Sequence, residues 1–149
     1  MQIVQADVTV RADGETLIEE PLCIDVGLPA LLASAAGEGA DPDPGADAAV
    51  EWRRMPFFVC GCGDPDCRAF AFKVTYEGET VVWTEAVRSA AGMRNPDQYR
   101  FPLAEYRAAA LAAGIQFLSF MEGRSYKPLQ PRTMQLVEHY VEALRSVES

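Results

Sequence analysis

Hydrophobic and polar residues alternate in the first part of the chain. From residue 4 to residue 10 the even-numbered positions are apolar and the odd-numbered positions are polar. This period of two predicts a half-buried β-strand. An Asp13-Gly14 turn pair then leads into a second strand over residues 16–26, so the chain is predicted to open with a β-hairpin. Pro21 has no N–H, which predicts an edge or bulged position in the second strand.

An apolar stretch and an acidic stretch follow the hairpin. Residues 27–36 are apolar and carry Pro29 near their start, which predicts a short helix with proline in its first turn. Residues 37–47 combine proline, glycine and acidic side chains, a composition that predicts a flexible acidic loop.

The middle of the chain is rich in β-forming residues. Three successive strands over residues 57–60, 69–76 and 80–85 are predicted to form a meander. Residues 90–102 contain glycine, asparagine and two prolines and are predicted to be a long connection.

The last third of the chain has helical periodicity. One helix is predicted from about residue 102 to residue 121, with Gly114 as a point where it breaks or bends. Pro131 opens a terminal helix whose apolar residues are spaced for burial. The order ββ-α-βββ-α-α predicts one α+β domain over residues 1–149. It would have one antiparallel sheet of about five strands, built from two hairpin or meander units, with helices packed on one face.

Composition and charge narrow the classes of partner. The formal net charge of −9 repels nucleic-acid phosphates and anionic lipid, so we expect neither a nucleic acid nor a membrane as partner. A basic protein surface would be attracted instead. We find no secretory leader and no long apolar run, and therefore expect a cytoplasmic protein, whose thiols are kept reduced.

Three of the four cysteines lie within eight residues, in Cys60-Gly61-Cys62-Gly63-Asp64-Pro65-Asp66-Cys67. The segment lies between two β-like runs, and the four residues 63–66 favour a turn. We therefore predict an antiparallel hairpin over residues 57–76 with thiols around its tip.

This grouping allows more than one chemistry. Zinc takes four tetrahedral ligands, so Cys60, Cys62 and Cys67 are the candidate metal ligands, and the fourth would be Cys23, His139, an aspartate of the turn or water. A Cys62–Cys67 or Cys60–Cys67 disulfide is the second interpretation, although a reducing cytoplasm disfavours it. The third is that the thiols only pack as small, soft side chains around a tight turn.

No catalytic constellation stands out in the sequence. His139 is the only imidazole, and a lone helical histidine is usually a surface or boundary residue. A Ser-His-Asp order and a phosphate-binding glycine loop are both missing from the sequence. We expect a protein that is not an enzyme and needs no cofactor, with zinc as the alternative.

The segment from Phe57 to Cys67, followed by an alternating strand and Trp83, resembles small uncharacterised bacterial proteins with a Cys-X-Cys-Gly-(three residues)-Cys hairpin. Some of these are similar to immunity proteins of polymorphic toxin systems. The resemblance covers residues 57–84 and implies an α+β fold without catalytic residues.

Together these patterns favour a small acidic cytosolic protein that acts by binding another protein. Its most specific form is an immunity-like inhibitor that docks on a basic toxin through complementary charge. The acidic residues in and near the 37–47 loop are the predicted contacts: Glu38, Asp41, Asp43 and Asp47. A metal- or thiol-dependent protein using Cys60, Cys62 and Cys67 is the alternative.

Overall fold

A computed structural model describes residues 4–12, 14–25, 27–40, 52–54, 57–59, 69–70, 72–85, 98–123 and 132–148. The strands in this part of the chain are β1 (Gln5–Ala12), β2 (Glu15–Cys23), β3 (Phe58–Val59), β4 (Ala69–Phe70), β5 (Phe72–Glu77), β6 (Thr80–Glu85) and β7 (Gln98–Pro102). The helices are α1 (Leu28–Ala35), α2 (Leu103–Met121) and α3 (Thr133–Glu148), with a short 3-10 turn at Trp52–Arg54.

The predicted opening hairpin is confirmed. β1 and β2 pair antiparallel from Gln5↔Cys23 to Ala12↔Glu15, with an irregularity in register after Val10. The even-numbered residues of β1 turn toward the core and the odd-numbered ones are exposed, as the alternation predicts. Pro21 lies opposite Asp7, and on its other side β2 pairs with β3 only at Cys23 among the described residues, so Pro21 occupies an edge-like position.

The prediction of a single five-stranded sheet is wrong, because the strands form two antiparallel sheets. The first has the order β1-β2-β3-β4, in which β3 and β4 contribute two residues each, and the second has the order β5-β6-β7. The two described parts of the run predicted as one strand over 69–76 have different pairing partners. Ala69–Phe70 pairs with β3, whereas Phe72–Glu77 pairs with β6.

The prediction that residues 90–102 are a connection is wrong at its end, where β7 lies. Tyr99 and Phe101 are partly buried, whereas Gln98 and Arg100 between them are exposed. This alternation is a strand signal, but Pro102 beside it indicated a loop. Pro102 is the last residue of β7, at the edge of the sheet, where a missing N–H is tolerated.

The three predicted helices are present. They pack against one another, and α2 also lies against β6 and β7. The break predicted at Gly114 is absent from α2, which runs unbroken from Leu103 to Met121. Gly114 is needed there because a β-carbon at this position would stand 2.6 Å from Cγ2 of Val141 on α3. The glycine lets two helices approach closely.

Aromatic side chains form the centre of the core. Trp83 is 2% exposed, and its ring stacks on Phe72 at 4.5 Å between centroids and meets Phe101 edge-on at 4.8 Å. Phe57 and Phe58, which have opposite parity in the chain, are both buried. Aromatic residues of both sheets and of α2 therefore share one core.

The first residues of the predicted acidic loop belong to the fold. Ala40 exchanges two backbone hydrogen bonds with Val74 of β5, at 2.8 Å and 3.4 Å. The amide of Gly39 donates to the hydroxyl of Tyr76 at 2.8 Å. Residues 41–47 of that loop lie outside the described residues.

Candidate functional site: a groove between β1 and α2

The cysteine segment itself, with Cys60, Cys62 and Cys67, lies outside the described residues. Its two ends are described, and they confirm the antiparallel pairing predicted for the hairpin arms. Phe58 pairs with Phe70, and Val59 pairs with Ala69.

The fourth cysteine, Cys23, lies in a described strand, β2. Cys23 is fully buried and pairs in register with Val59, the residue that precedes Cys60 in the chain. Because paired residues of an antiparallel ladder lie about 4.5–5.5 Å apart at their Cα atoms, Cys23 lies close to the backbone of Val59. In the described part of the chain, no group of three histidine, cysteine or acidic side chains is arranged to hold a metal ion.

His139, the other candidate for a fourth ligand, is a surface residue. Its side chain is exposed on α3, next to Glu138 and near Glu142 and Gln135. The position is that of a surface residue, as expected from the sequence.

Of the four acidic residues predicted to contact a partner, the structure describes only Glu38. Its carboxylate accepts hydrogen bonds from Nη1 of Arg53 at 2.7 Å and from the hydroxyl of Tyr140 at 2.9 Å. The Arg53 guanidinium also lies 4.6 Å from the centre of the Trp52 ring. Glu38 thus fastens the end of α1 to the 3-10 turn and to α3, and Asp41, Asp43 and Asp47 lie outside the described residues.

A buried polar network connects α1, α2 and β6. The hydroxyls of Ser34 and Tyr106 lie 2.6 Å apart, and Nε1 of Trp83 donates to the Tyr106 hydroxyl at 3.1 Å. The hydroxyl of Tyr76 donates to the backbone carbonyl of Ser34. Burial raises the pKa of Tyr106. Burial also raises the pKa of Tyr76, and the hydrogen bond from the Gly39 amide opposes this shift. Every polar atom named in this network has a partner, which is typical of a structural network rather than a reactive one.

A groove of about 970 Å³ runs between β1 and α2. We call it the β1–α2 groove. One wall is β1, and the other is made by α2 and the end of β7. Its apolar side chains include Val8, Val10, Ala109, Ala113 and Phe120.

Charged residues stand on both walls of the groove. Asp7 and Arg11 come from β1, and Glu105 and Arg100 come from the opposite wall. Arg100 is engaged with Glu77, whose Oε2 lies 3.6 Å from its Nε. The groove therefore has an apolar interior and charges at discrete positions, a common design for a binding site.

The exposed surface of α2 beside the groove lacks charge. From Ala108 to Met121 the helix contains no acidic or basic residue. The exposed side chains on this stretch, which we call the uncharged α2 face, are Ala108, Ala109, Ala112, Ile115, Gln116, Ser119 and Phe120. Phe120 is 51% exposed, and Ile115 is 36% exposed.

Sequence reasoning missed both the groove and the uncharged α2 face. The groove depends on how β1 is placed against α2, which no local pattern reports. The face had a local signal, because a solvent-exposed helix normally carries charged residues on its outer side and this one does not.

No helix in the described ranges is both long enough and apolar enough to cross a bilayer. No protein family, no curated protein and no solved structure matches this chain.

Proposed function

We propose that this protein is a non-enzymatic binding domain that docks another protein on the β1–α2 groove and the uncharged α2 face. The observation that carries the proposal is the half-exposed Phe120 on a helix surface that has no charge from Ala108 to Met121. Exposed apolar patches of this kind, rimmed by polar residues, mark sites of protein interaction.

Charge favours a basic partner. The chain has a net charge of −9, and complementary charge accelerates encounter and excludes wrong partners. An aromatic anchor such as Phe120, surrounded by small side chains, is the type of residue that supplies most of the binding energy in an interface. In the most specific form of the proposal, the protein is an immunity-like inhibitor that binds a basic toxin.

The experiment first recovers a partner with the wild-type protein and then compares the affinity of two matched variants for it. Phe120→Glu and Val147→Glu each place a charge at an exposed apolar helix position, since the two side chains are 51% and 54% exposed. We expect Phe120→Glu to weaken binding of the recovered partner by at least about 30-fold, which corresponds to the loss of about 2 kcal/mol at a hot spot. Val147→Glu on α3 is expected to bind like the wild type.

Equal binding by the wild type and both variants would contradict the proposed docking face. A partner that binds Phe120→Glu normally but loses affinity for Val147→Glu would move the interface to α3. Thermal unfolding of both variants serves as the control for folding, because exposed substitutions change stability by only about 0.5 kcal/mol.

A second candidate function is metal or thiol chemistry at Cys60, Cys62 and Cys67. It is favoured by one observation, the buried position of Cys23 in register with Val59. Four thiolates held in one region would satisfy the tetrahedral preference of zinc, and Cys23 would then be the fourth ligand in place of His139.

The test is the metal content of protein purified without chelator. Zinc binding predicts about one zinc ion per chain, lost in Cys23→Ala and retained in His139→Ala. Folded protein without zinc, in which the thiols of residues 60–67 react freely with an alkylating reagent, would exclude a zinc site at these cysteines. Equal zinc content in both variants would exclude Cys23 as the fourth ligand.

A further inference from the structure

Among the described strands, β1 pairs only with β2 and stands at the end of the order β1-β2-β3-β4. The amide of Ile24 donates to the carbonyl of Val4 at 2.9 Å, which fixes the alternation of the ladder. The amides and carbonyls of residues 4, 6 and 8 therefore point to β2, and those of Asp7 and Thr9 point away from it. The position of Pro21 is consistent with this alternation. It lies opposite Asp7, in a pair that exchanges no hydrogen bonds across the β1–β2 ladder, so no N–H is required there.

The side of β1 that points away from β2 faces the β1–α2 groove. The groove is lined by Asp7 and Thr9, whose side chains lie on the outer face of the sheet, and also by Val8 and Val10, whose side chains lie on the inner face. Only the edge of a strand touches both sets. The outward backbone groups of Asp7 and Thr9 are therefore at the mouth of the groove.

We propose that the β1–α2 groove receives an extended segment of the partner protein, which adds to β1 as an antiparallel strand. This inference rests on the proposed function and specifies how the partner binds. The backbone of the segment would bond to Asp7 and Thr9, and alternate apolar side chains would fill the groove between β1 and Phe120. Strand addition to a sheet edge is a general mode of peptide recognition.

Charge complementarity sets the register of the added strand. The outer row of β1 reads Asp7, Thr9, Arg11, and residues directly opposite one another in neighbouring strands interact. The segment would place a basic side chain opposite Asp7 and an acidic side chain opposite Arg11. In an antiparallel strand, the acidic residue precedes the basic residue by four positions.

The far wall of the groove determines that the occupant is a single strand. α2 and the end of β7 stand opposite β1 across the groove. A second copy of this chain pairing through its own β1 would bring its β2 along on the far side, where α2 and β7 already stand. An extended and otherwise unpaired segment of a partner brings no second strand with it.

The test uses a synthetic peptide, Thr-Val-Glu-Val-Thr-Val-Lys-Val-Thr, and a control of the same composition with the glutamate and lysine exchanged. We expect the first peptide to bind more tightly. At a free concentration about 100 times its Kd, it is expected to slow hydrogen exchange of the Asp7 and Thr9 amides by about 100-fold, because only the free protein exchanges. The amides of Val8 and Val10, which already face β2, report on folding.

Methylation of the peptide backbone separates strand addition from apolar contact. Methyl groups on the nitrogens of the central threonine and the lysine, which would face β1, are expected to abolish binding. Methyl groups on the two valines that flank the central threonine, whose nitrogens would face away, are expected to leave it nearly intact. On the protein side, Thr9→Pro removes one outward N–H and Thr9→Val retains it.

The possible failures are distinct. The peptide could bind the wild type, lose affinity for Phe120→Glu and yet fail to protect the Asp7 and Thr9 amides. That result would overturn strand addition and leave the proposed function in place. Absence of binding, a preference for the exchanged peptide, or equal effects of both methylation patterns would overturn the inference. Protection of the amides that depends on protein concentration alone would mean that a second copy of the chain pairs with the edge of β1. Binding of laurate but not of the peptide would mean that the groove takes an apolar small molecule.

Discussion

Gly114 on α2 lies so close to Val141 on α3 that a β-carbon at residue 114 would stand 2.6 Å from Cγ2 of the valine. The same β-carbon would stand 3.3 Å from Cδ2 of Leu32 on α1. Gly114 is therefore the point where all three helices meet, and its missing side chain determines how closely they pack.

The first prediction concerns this contact. In an isolated helix, Gly114→Ala would add about 1 kcal/mol of stability. Here we expect it to lower the free energy of unfolding by about 1–2 kcal/mol, because overpacking a filled core costs about 1–3 kcal/mol. Urea denaturation measures the change. Adding Val141→Ala is expected to recover part of the loss, and independent effects of the two substitutions would contradict the contact.

The second prediction concerns the centre of the aromatic core. Trp83→Ala is expected to cost about 3–5 kcal/mol, because Trp83 is 2% exposed and stacks on Phe72. Trp83→Phe retains most of the packing and loses only the hydrogen bond to Tyr106, so its cost is expected to be smaller. A denaturation midpoint for Trp83→Ala equal to that of the wild type would mean that the tryptophan is not part of the core.

The third prediction concerns alkaline pH. Burial raises the pKa of Tyr106 in the folded protein above its ordinary value near 10. The stability that this phenol contributes is fully present below pH 10 and is lost as the pH rises further, since the unfolded chain then releases the proton first. We expect the free energy of unfolding to fall above pH 10, by up to about 1.4 kcal/mol per pH unit from this group.

Tyr106→Phe tests that assignment. At pH 7 it is expected to cost about 1–2 kcal/mol through lost hydrogen bonds with Ser34 and Trp83. Above pH 10 its stability is expected to fall less steeply than that of the wild type. An identical slope for the two proteins would assign the alkaline loss to other groups, such as Tyr76 and Tyr140, whose pKa values are also raised chiefly by burial.

The fourth prediction concerns the acidic residues expected to contact a basic partner. Reversing Asp41, Asp43 and Asp47 to lysine is expected to lower the association rate constant for the recovered partner, and added salt is expected to lower that of the wild type. Glu38 is left unchanged in this variant, because it binds Arg53 and Tyr140. Stopped-flow kinetics across a salt series measures both effects.

The matched control reverses three exposed acidic residues elsewhere, namely Glu122, Glu138 and Glu142. It changes the net charge by the same amount. Equal slowing by both variants would mean that net charge, and not the 41–47 segment, steers association. Rates that do not depend on salt or on either variant would exclude electrostatic steering.

Local patterns predicted much of the fold. The alternation in β1 and the periodicity of α3 each reported a face that is buried, and both elements are present where expected. Gly114 was interpreted wrongly because a glycine inside a helical pattern has two meanings, a break or a close approach. The difference depends on Val141, which lies 27 positions further along the chain.

The sheets and the candidate site depended on long-range pairing. Nothing local distinguishes Phe70, which belongs to the first sheet, from Phe72, which belongs to the second, because the two differ only in their pairing partners. For the same reason the sequence did not place Cys23 beside Val59, or the edge of β1 opposite Phe120.

The hydrogen bond from Tyr140 to Glu38 joins residues 102 positions apart, and this separation constrains when the chain can fold during synthesis. Val137 and Leu144 of α3 are fully buried against the earlier elements, so the core cannot close until these residues have been made. At a translation rate of about 5–20 residues per second, about 5–20 s pass between the synthesis of Glu38 and that of Tyr140. Throughout that interval the apolar surface of α1 is without α3, and late in the interval the apolar surface of α2 is as well. A nascent chain that stalls there is expected to need a chaperone to remain in solution.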